Sequence, residues 1–454
     1  MLFLILVMLM NIVVIGGGAA GASAAVRAKR VNPNANVVLI EATDMVTHGP
    51  CGIPYFIEGI VKDKNNLVTY TPEYLEKNRG VKVLVNTRAV DIDVDKKVIV
   101  VEKKGSQLET IKFDKLVIAT GAKPIIIGGT DRENVIALRH PAEVDKVKIV
   151  IDQAKKVAVI GGSYLGIEMA EALTAIGKRV ILFEKEPQLM PKSLDPDIAK
   201  VIEDEMVSKG IELHLSEPVV ELVGNKKVEK IVTTKSEYTV DAVVLAIGVK
   251  PNTDLARKAG VKLGVEDAIA VNEYMETSIE GIYAAGDAVE KFHKLLKKKV
   301  WIPLATSANK EGQVAGANAA GGRVLKFGGI VGTAVTKFYD LYIARTGLSE
   351  REARENNVKY RSTTIKVRTK AHYYPGSAEV VVKMIVDDND VIVGFQAVGK
   401  DIAVAYYADI AAVSIDRRMS IEDLFFADLG YMPATAPVWH PLIVAARVLS
   451  RGKF

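Results

Sequence analysis

The sequence predicts an α/β chain made of two copies of a strand, glycine turn, helix, strand unit, followed by a C-terminal α+β portion. Three observations predict it. The apolar run Ile12 to Ile15 enters glycines at Gly16, Gly18 and Gly21, and Val157 to Ile160 enters GGSYLG in the same way. After Gly329 the pattern changes to longer alternating strands, such as Glu379 to Val386 and Val391 to Val398, joined by an Asp-Asp-Asn-Asp turn. A short apolar run that stops at glycine and resumes as a small-residue helix is the grammar of a parallel βαβ unit.

In chain order, Ala19 to Ala28 has helical composition, and Val37 to Ile40 forms the second strand, closing on Glu41. The second unit repeats this with a helical stretch through Ile176 and the strand Val180 to Phe183 closing on Glu184. Two further strands, Leu116 to Ala119 and Val243 to Ile247, run into Ala119-Thr120-Gly121 and Ala246-Ile247-Gly248. These read as points where the chain crosses between domains. The expected division is a discontinuous first domain over 1–122 and 247–326, a second over 123–246 and a third over 327–454.

A chain of 454 residues has room for two or three domains with separate cores. Half the residues are apolar and a quarter charged, an ordinary globular balance. The formal charge of +5 is not gathered into a tail, so nucleic acid is not an expected partner. The densest basic run, His293 to Lys299, reads as a solvated turn or helix face. One cysteine, Cys51, rules out an intramolecular disulfide and a cysteine-rich metal site. No metal is expected. The N-terminus MLFLILVMLM is apolar but has no basic leader or cleavage site, so the first strand is expected near Asn11, with translation starting at Met8 or Met10. No transmembrane segment is read, and the default compartment is the cytoplasm.

The first glycine motif fits dinucleotide binding. Gly16 permits the turn, Gly18 lets backbone approach a pyrophosphate, and Gly21 allows helix and strand to pack closely. The phosphates then meet the free N–H groups of a helix N-terminus. Glu41 stands where a carboxylate takes hydrogen bonds from ribose hydroxyls. In the second motif Gly161 and Gly166 fit, and Ser163 replaces the middle glycine. Glu184 would repel a 2′-phosphate and so leans toward NADH, softened by Lys178, Arg179 and Lys185. Both units are therefore read as Rossmann-like nucleotide-binding domains.

Cys51 lies in HGPCGIPYFIEG, just after the first unit. A helix is expected to begin beside it, and its N-terminus would favour the thiolate. Further on, TSIEGIYAAGDA ends a strand in Gly286-Asp287, and PLATSANKEG, from Pro303 to Gly312, looks like a helix start.

These residues in this order resemble the pyridine-nucleotide disulfide oxidoreductases along essentially the whole chain, and within them the single-cysteine branch of coenzyme A disulfide reductase, NADH oxidase and NADH peroxidase. The resemblance implies FAD in the first nucleotide site, NADH or NADPH as co-substrate in the second, and a C-terminal dimerisation domain. Flavin contacts are implied at Gly16, Gly18, Ala19, Ala20, Gly21, Glu41, Ala42, Val90, Ala119, Thr120, Gly121, Asp287, Ala288 and Ala305. Nicotinamide nucleotide contacts are implied at Gly161, Ser163, Leu165, Gly166, Glu184 and Gly248, with Tyr164 as an aromatic gate.

Relatives of the glutathione type carry a cysteine pair and a C-terminal His-Glu pair. This chain has neither, so the redox partner of Cys51 must be oxygen-based or come from the substrate. The peroxidase and many oxidases place a histidine in the first glycine motif to support a sulfenate, where Ala19 stands here. Coenzyme A disulfide reductases lack it and use a mixed disulfide with coenzyme A. They resemble this chain also in two tyrosines that assist the departing thiolate across a dimer interface. Those positions match Tyr373, with Tyr374 adjacent, and Tyr431. By the same resemblance coenzyme A would meet Ser23, Arg27 and Arg30 on the first helix and Thr47 near the sulfur, with Arg79 and His440 as further candidates.

The expected protein is an FAD-dependent NAD(P)H:CoA-disulfide oxidoreductase with Cys51, Tyr373 and Tyr431 catalytic, active as a homodimer or dimer of dimers. The alternatives are an NAD(P)H oxidase, a reductase of polysulfide or elemental sulfur, and a non-catalytic flavin redox sensor.

Overall fold

The computed structural model describes residues 9–103 and 108–453. Residues 1–8, and with them most of the expectation about the start, lie outside the described residues. The first strand begins at Asn11, as expected.

Each glycine motif sits in a five-stranded parallel sheet. The first runs, edge to edge, Ile282–Ala284, Lys115–Ile118, Asn11–Ile15, Asn36–Ile40 and Lys82–Leu84. Its central strands are buried without alternation, as strands covered on both faces must be. One edge strand comes from residues far downstream of the others, so the polypeptide leaves this sheet and returns to it. The second sheet runs Glu212–His214, Arg179–Phe183, Lys156–Ile160, Ala242–Leu245 and Val135–Ile136. The outgoing and returning connections, Ala122–Pro124 and Val249–Pro251, pair antiparallel with one another. Thr120 Oγ1 donates to Asn252 O at 2.6 Å and ties the two crossings together.

The first helix, Ala19–Val31, packs against the long helix Ala305–Gly321. A Cβ at Gly312 or Gly316 would collide with the carbonyl of Ala20 or Ala24, so only hydrogen lets these helices approach so closely.

The third sheet is antiparallel: Ala334–Phe338, Leu341–Gly347, Ile392–Gly399, Glu379–Asp387 and Tyr360–Arg368. It docks on the second domain through buried polar contacts. Gln396 Nε2 donates to Asp195 Oδ2 at 2.7 Å and its Oε1 accepts from Asp195 N at 2.8 Å. Lys383 meets Asp197 and Glu350, each at 2.9 Å. The basic run His293 to Lys299 is neither helix nor wholly solvated: it forms a hairpin, Lys291–His293 with Lys298–Val300, in which the His293 ring is buried. Among the described residues no helix is long and apolar enough to cross a membrane.

Candidate active site

The first glycine turn takes the shape its spacing demands. Gly16 has φ +100°, and a Cβ there would strike the Ala119 carbonyl. A Cβ on Gly21 would strike Gly16 O. Beside Gly18 there is open space, bounded only by the His48 ring 3.8 Å from where its Cβ would lie. The helix begins at Ala19 with no side-chain cap and no acid in its first turn, leaving its N-terminal amides free for an anion. Glu41 is buried at the end of the second strand. Its Oε2 accepts from Gly17 N at 2.8 Å, and its Oε1 from Thr43 N at 2.7 Å and Thr43 Oγ1 at 2.9 Å. The carboxylate is thus locked in place by its own loop, with lone pairs to spare for ribose hydroxyls.

Around this cradle stand the other implied flavin contacts. Ala42 is exposed, and Val90 sits at a bulge between Ala89 and Asp91. Ala119 N donates to Ile15 O at 2.8 Å, and Gly121 has φ +69°. The turn Gly286–Ala288 places Gly286 against the side chains of Ala20 and Ala308, at the junction of two helices. The second of these, starting at Ala305, likewise has no side-chain cap and no acid in its first turn. Asp287 Oδ2 accepts from Arg139 Nη2 at 2.6 Å and its backbone carbonyl from Trp301 Nε1 at 2.8 Å, while Oδ1 is buried without a partner. A buried carboxylate oxygen left unmade is costly unless a ligand completes it. Two uncapped helix N-termini, open space beside Gly18 and this orphaned oxygen fit a flavin dinucleotide.

Cys51 lies on this cradle. It sits in a single turn, Pro50–Gly52, that leads into the helix Ile53–Glu58. The charges of Glu168, Arg139 and Asp287 all reach it. The expected thiolate is not favoured by the protein alone. The sulfur keeps access to solvent, yet burial among surrounding atoms is the first cause pushing its pKa up, with Glu168 second. The helix beside it has only six residues, and Arg139 is the cation that opposes the rise.

The second turn repeats the first with Gly161 at φ +104°, where a Cβ would strike Ala246 O. Gly166 abuts Gly161 O, and Glu184 Oε2 accepts from Gly162 N at 2.7 Å while its Oε1 accepts from Glu186 N at 2.9 Å. Ser163 is the N-cap of the helix Tyr164–Ala175, but its hydroxyl caps nothing. Tyr164, at the helix start with Leu165 beside it, is half-buried, and burial pushes its phenol up. Gly248 has φ +108° near Ile125.

The implied coenzyme A contacts divide. Arg27 is half-buried with Nε unpartnered, and Arg30 is exposed. Ser23 Oγ donates to Asn309 Oδ1 at 2.8 Å, joining the two helices. Thr47 has φ +51°, and its hydroxyl both donates to Tyr70 O and accepts from Tyr70 N, each at 2.7 Å. Arg79 lies over the Tyr74 ring, which stacks on Tyr70 at 4.7 Å. His440 is elsewhere: only 6% exposed, it caps the helix Pro441–Leu449 through Leu442 N and packs edge-on to Tyr407. That burial leaves little of its ring to meet a ligand.

The hydroxyls of Tyr373 and Tyr431 lie 3.2 Å apart. They line a groove of about 380 Å³ formed wholly by residues between Val367 and Trp439. Among the described residues of one chain, no part of the two glycine-motif sheets contributes to that groove.

Residues 10–312 match the model of the pyridine nucleotide-disulphide oxidoreductases, and residues 333–442 match the dimerisation domain of the same family. The chain belongs to this family. It is an FAD-dependent NAD(P)H oxidoreductase. It is 42% identical to an NAD(P)H sulfur oxidoreductase (CoA-dependent) of Pyrococcus abyssi, over 94% of this chain and 95% of that one. It is 37% identical to an NADH oxidase of Methanocaldococcus jannaschii, over 92% and 94%. Its fold matches an NAD-dependent persulfide reductase from A. fulgidus with a TM-score of 0.94 at 37% identity, covering 97% of this chain and 83% of that one.

Residues that sequence reasoning missed in this oxidoreductase are Gly17, Arg139, His140, Glu168 and Trp301. Gly17 was legible, since its amide faces the predicted carboxylate. The others, the adjacent Arg139 and His140 together with Glu168 and Trp301, come from three segments that meet only in three dimensions. The His140 ring lies 4.0 Å from that of His48, tilted by 60°, and burial pushes His48 down to about 3, so it is a neutral ring beside the cradle.

Proposed function

We propose that this oxidoreductase uses Cys51 to reduce the sulfur–sulfur bond of a coenzyme A-linked disulfide or persulfide at the expense of NADH or NADPH. The carrying observation is a lone cysteine on the flavin cradle, in reach of Asp287 and Arg139, with no second cysteine in the sequence to pair with it. Bound FAD supplies a two-electron relay between nicotinamide and sulfur. Glu184 orients the ribose of the nicotinamide nucleotide, with Gly161, Ser163 and Gly166 around its phosphates. Cys51 attacks the S–S bond as the thiolate, forming a mixed disulfide and expelling one thiol. The net reaction is NAD(P)H, one proton and CoA–S–S–R going to NAD(P)⁺, CoA–SH and R–SH.

Tyr373 and Tyr431 deliver the proton to the departing sulfur. Their groove stands apart from Cys51 within one chain, so they act from the other subunit of a homodimer. The exposed apolar side chains around them, Trp439, Val438 and Met432, support that interface. Arg27, Arg30 and Arg79 meet the phosphates of coenzyme A, Arg27 with a buried Nε still unpaired. A cytoplasmic setting, which one unpaired cysteine suits, completes the proposal.

The persulfide form of the substrate is favoured by the A. fulgidus similarity, a CoA-dependent sulfur reduction by the Pyrococcus one, and oxygen reduction is the second reading, on the Methanocaldococcus one. Steady-state NADH oxidation with coenzyme A disulfide, coenzyme A persulfide or oxygen separates them. Mass spectrometry of the non-reduced protein should show Cys51 carrying coenzyme A. Turnover with oxygen alone, and no adduct under any oxidising condition, would overturn the proposal.

A further inference from the structure

Among the described residues, one ion pair has both side chains 0% exposed: Lys291 Nζ lies 3.3 Å from Glu311 Oε2. Burying two charges is costly, and neither residue is among the flavin contacts implied by the sequence, although Glu311 falls within PLATSANKEG. The pair grips one residue, Gly286, through the two peptide units on either side of it. Glu311 Oε2 accepts from Gly286 N at 2.9 Å, while Lys291 Nζ donates to Gly286 O at 2.9 Å and Val289 O at 3.4 Å. Gly286 holds φ +86°, and the next residue is Asp287, whose Oδ1 is buried and unpartnered.

Three further contacts fix the same turn. Trp301 holds the Asp287 carbonyl, Arg139 its Oδ2, and Gly286 rests on Ala20 and Ala308 at the two uncapped helix starts. Only Oδ1 is left free. We propose that Lys291 and Glu311 are positioning residues for the flavin: they clamp the Gly286 backbone at its N–H and its C=O so that Asp287 Oδ1 is presented to the cofactor. This inference rests on the placement of FAD against Asp287 argued above. The clamp needs both partners. Burial and the Asp287 charge push Glu311 up to about 7 while Lys291 opposes them, so without Lys291 the acid is neutral and a weaker acceptor for Gly286 N.

The test is FAD titration of full-length apoprotein, read by quenching of tryptophan fluorescence, since Trp301 donates directly to the Asp287 carbonyl and the chain has 2 tryptophans. Glu311→Gln and Lys291→Met should each weaken FAD about tenfold, as loss of a charge-assisted hydrogen bond does. Asp287→Asn should weaken it by a similar factor. The combination of Asp287→Asn with Glu311→Gln should be no weaker than Asp287→Asn alone, because the clamp acts only through that carboxylate. A merely structural pair would give losses that multiply. The paired change Lys291→Met with Glu311→Met removes both charges together, so no unpaired charge stays buried, and it should show the same about tenfold loss. Parent-like FAD binding in that paired variant, or multiplying losses, would overturn the clamp. Parent-like binding in Asp287→Asn would overturn the placement of the flavin at Asp287 itself.

Discussion

The two glycine loops of this chain are nearly superimposable in their bonding. Gly16 N and Gly161 N each donate at 2.8 Å to the carbonyl that ends the neighbouring strand, Ile40 O and Phe183 O. Both loops close with a residue in the left-handed region, Thr47 at φ +51° and Met190 at φ +48°, whose N–H returns to Gly17 O and Gly162 O. Four residues beyond each closure the copies part company: the first has Cys51, open to solvent, and the second has Leu194, buried in a core. The frame therefore sets where a dinucleotide lies, and the residues just after its closure set what chemistry the loop supports.

That contrast breaks most sharply at the two equivalent positions. Cys51→Ser should abolish reduction of the sulfur–sulfur bond, by a factor of about 1000 or more, while NADH still bleaches the flavin. Leu194→Ala should do the reverse, costing about 2–4 kcal/mol of stability with sulfur reduction retained. Stopped-flow absorbance and thermal unfolding read the two. Disulfide turnover surviving in Cys51→Ser would remove the reason for distinguishing the loops.

The glycines test whether the shared frame serves two different ligands. Gly16→Ala and Gly161→Ala each place a Cβ against a carbonyl at positive φ, worth about 2–4 kcal/mol of destabilisation. The first should purify with little yellow chromophore, and the second should keep its flavin but raise the KM for NADH. Loss of flavin from both would mean that the second loop serves no separate nucleotide.

The same comparison explains what was legible in the sequence. Strand, glycine, helix and terminal acid follow one another within about 30 residues, so local pattern was enough to find both loops, both carboxylates and the cysteine. The Asp287 turn was legible only by its order along the chain. Arg139, Trp301 and the Lys291–Glu311 pair were not legible, because each meets Asp287 or Gly286 across sequence gaps that periodicity does not span. Lys291 lies just outside the run His293 to Lys299 that composition read as a solvated turn or helix face, and packing in the hairpin buries it against Gly286 O. The helix beside Cys51 was found, but the expected stabilisation of its thiolate is overturned, since burial and Glu168, neither of them readable from local pattern, push its pKa up.

Neither loop contains a proton donor for a departing thiolate, and the third domain supplies the candidate. Tyr373→Phe should slow the disulfide step about tenfold and leave flavin reduction by NADH unchanged. Mixing Tyr373→Phe with Cys51→Ser subunits should restore part of the activity, since one hybrid site then has both groups. No recovery in the mixed dimers would place the tyrosines in the same chain's site or outside catalysis.

The smallest effect concerns the electrostatics that separate the first loop's thiol from an ordinary one. Burial and the Glu168 carboxylate raise the Cys51 pKa, whereas Arg139 lowers it. In apoprotein, alkylation by iodoacetamide should thus rise with pH later than it does for a free thiol, because only the thiolate reacts. Glu168→Gln removes a negative charge that opposes a second one on sulfur, so the thiolate gains, the profile moves to lower pH and alkylation at pH about 8 quickens a few-fold. Arg139→Met removes the stabilising cation and should move the profile the other way. Shifts in the same direction, or none in Glu168→Gln, would show that solvent around the exposed sulfur screens both charges and that burial alone sets its reactivity.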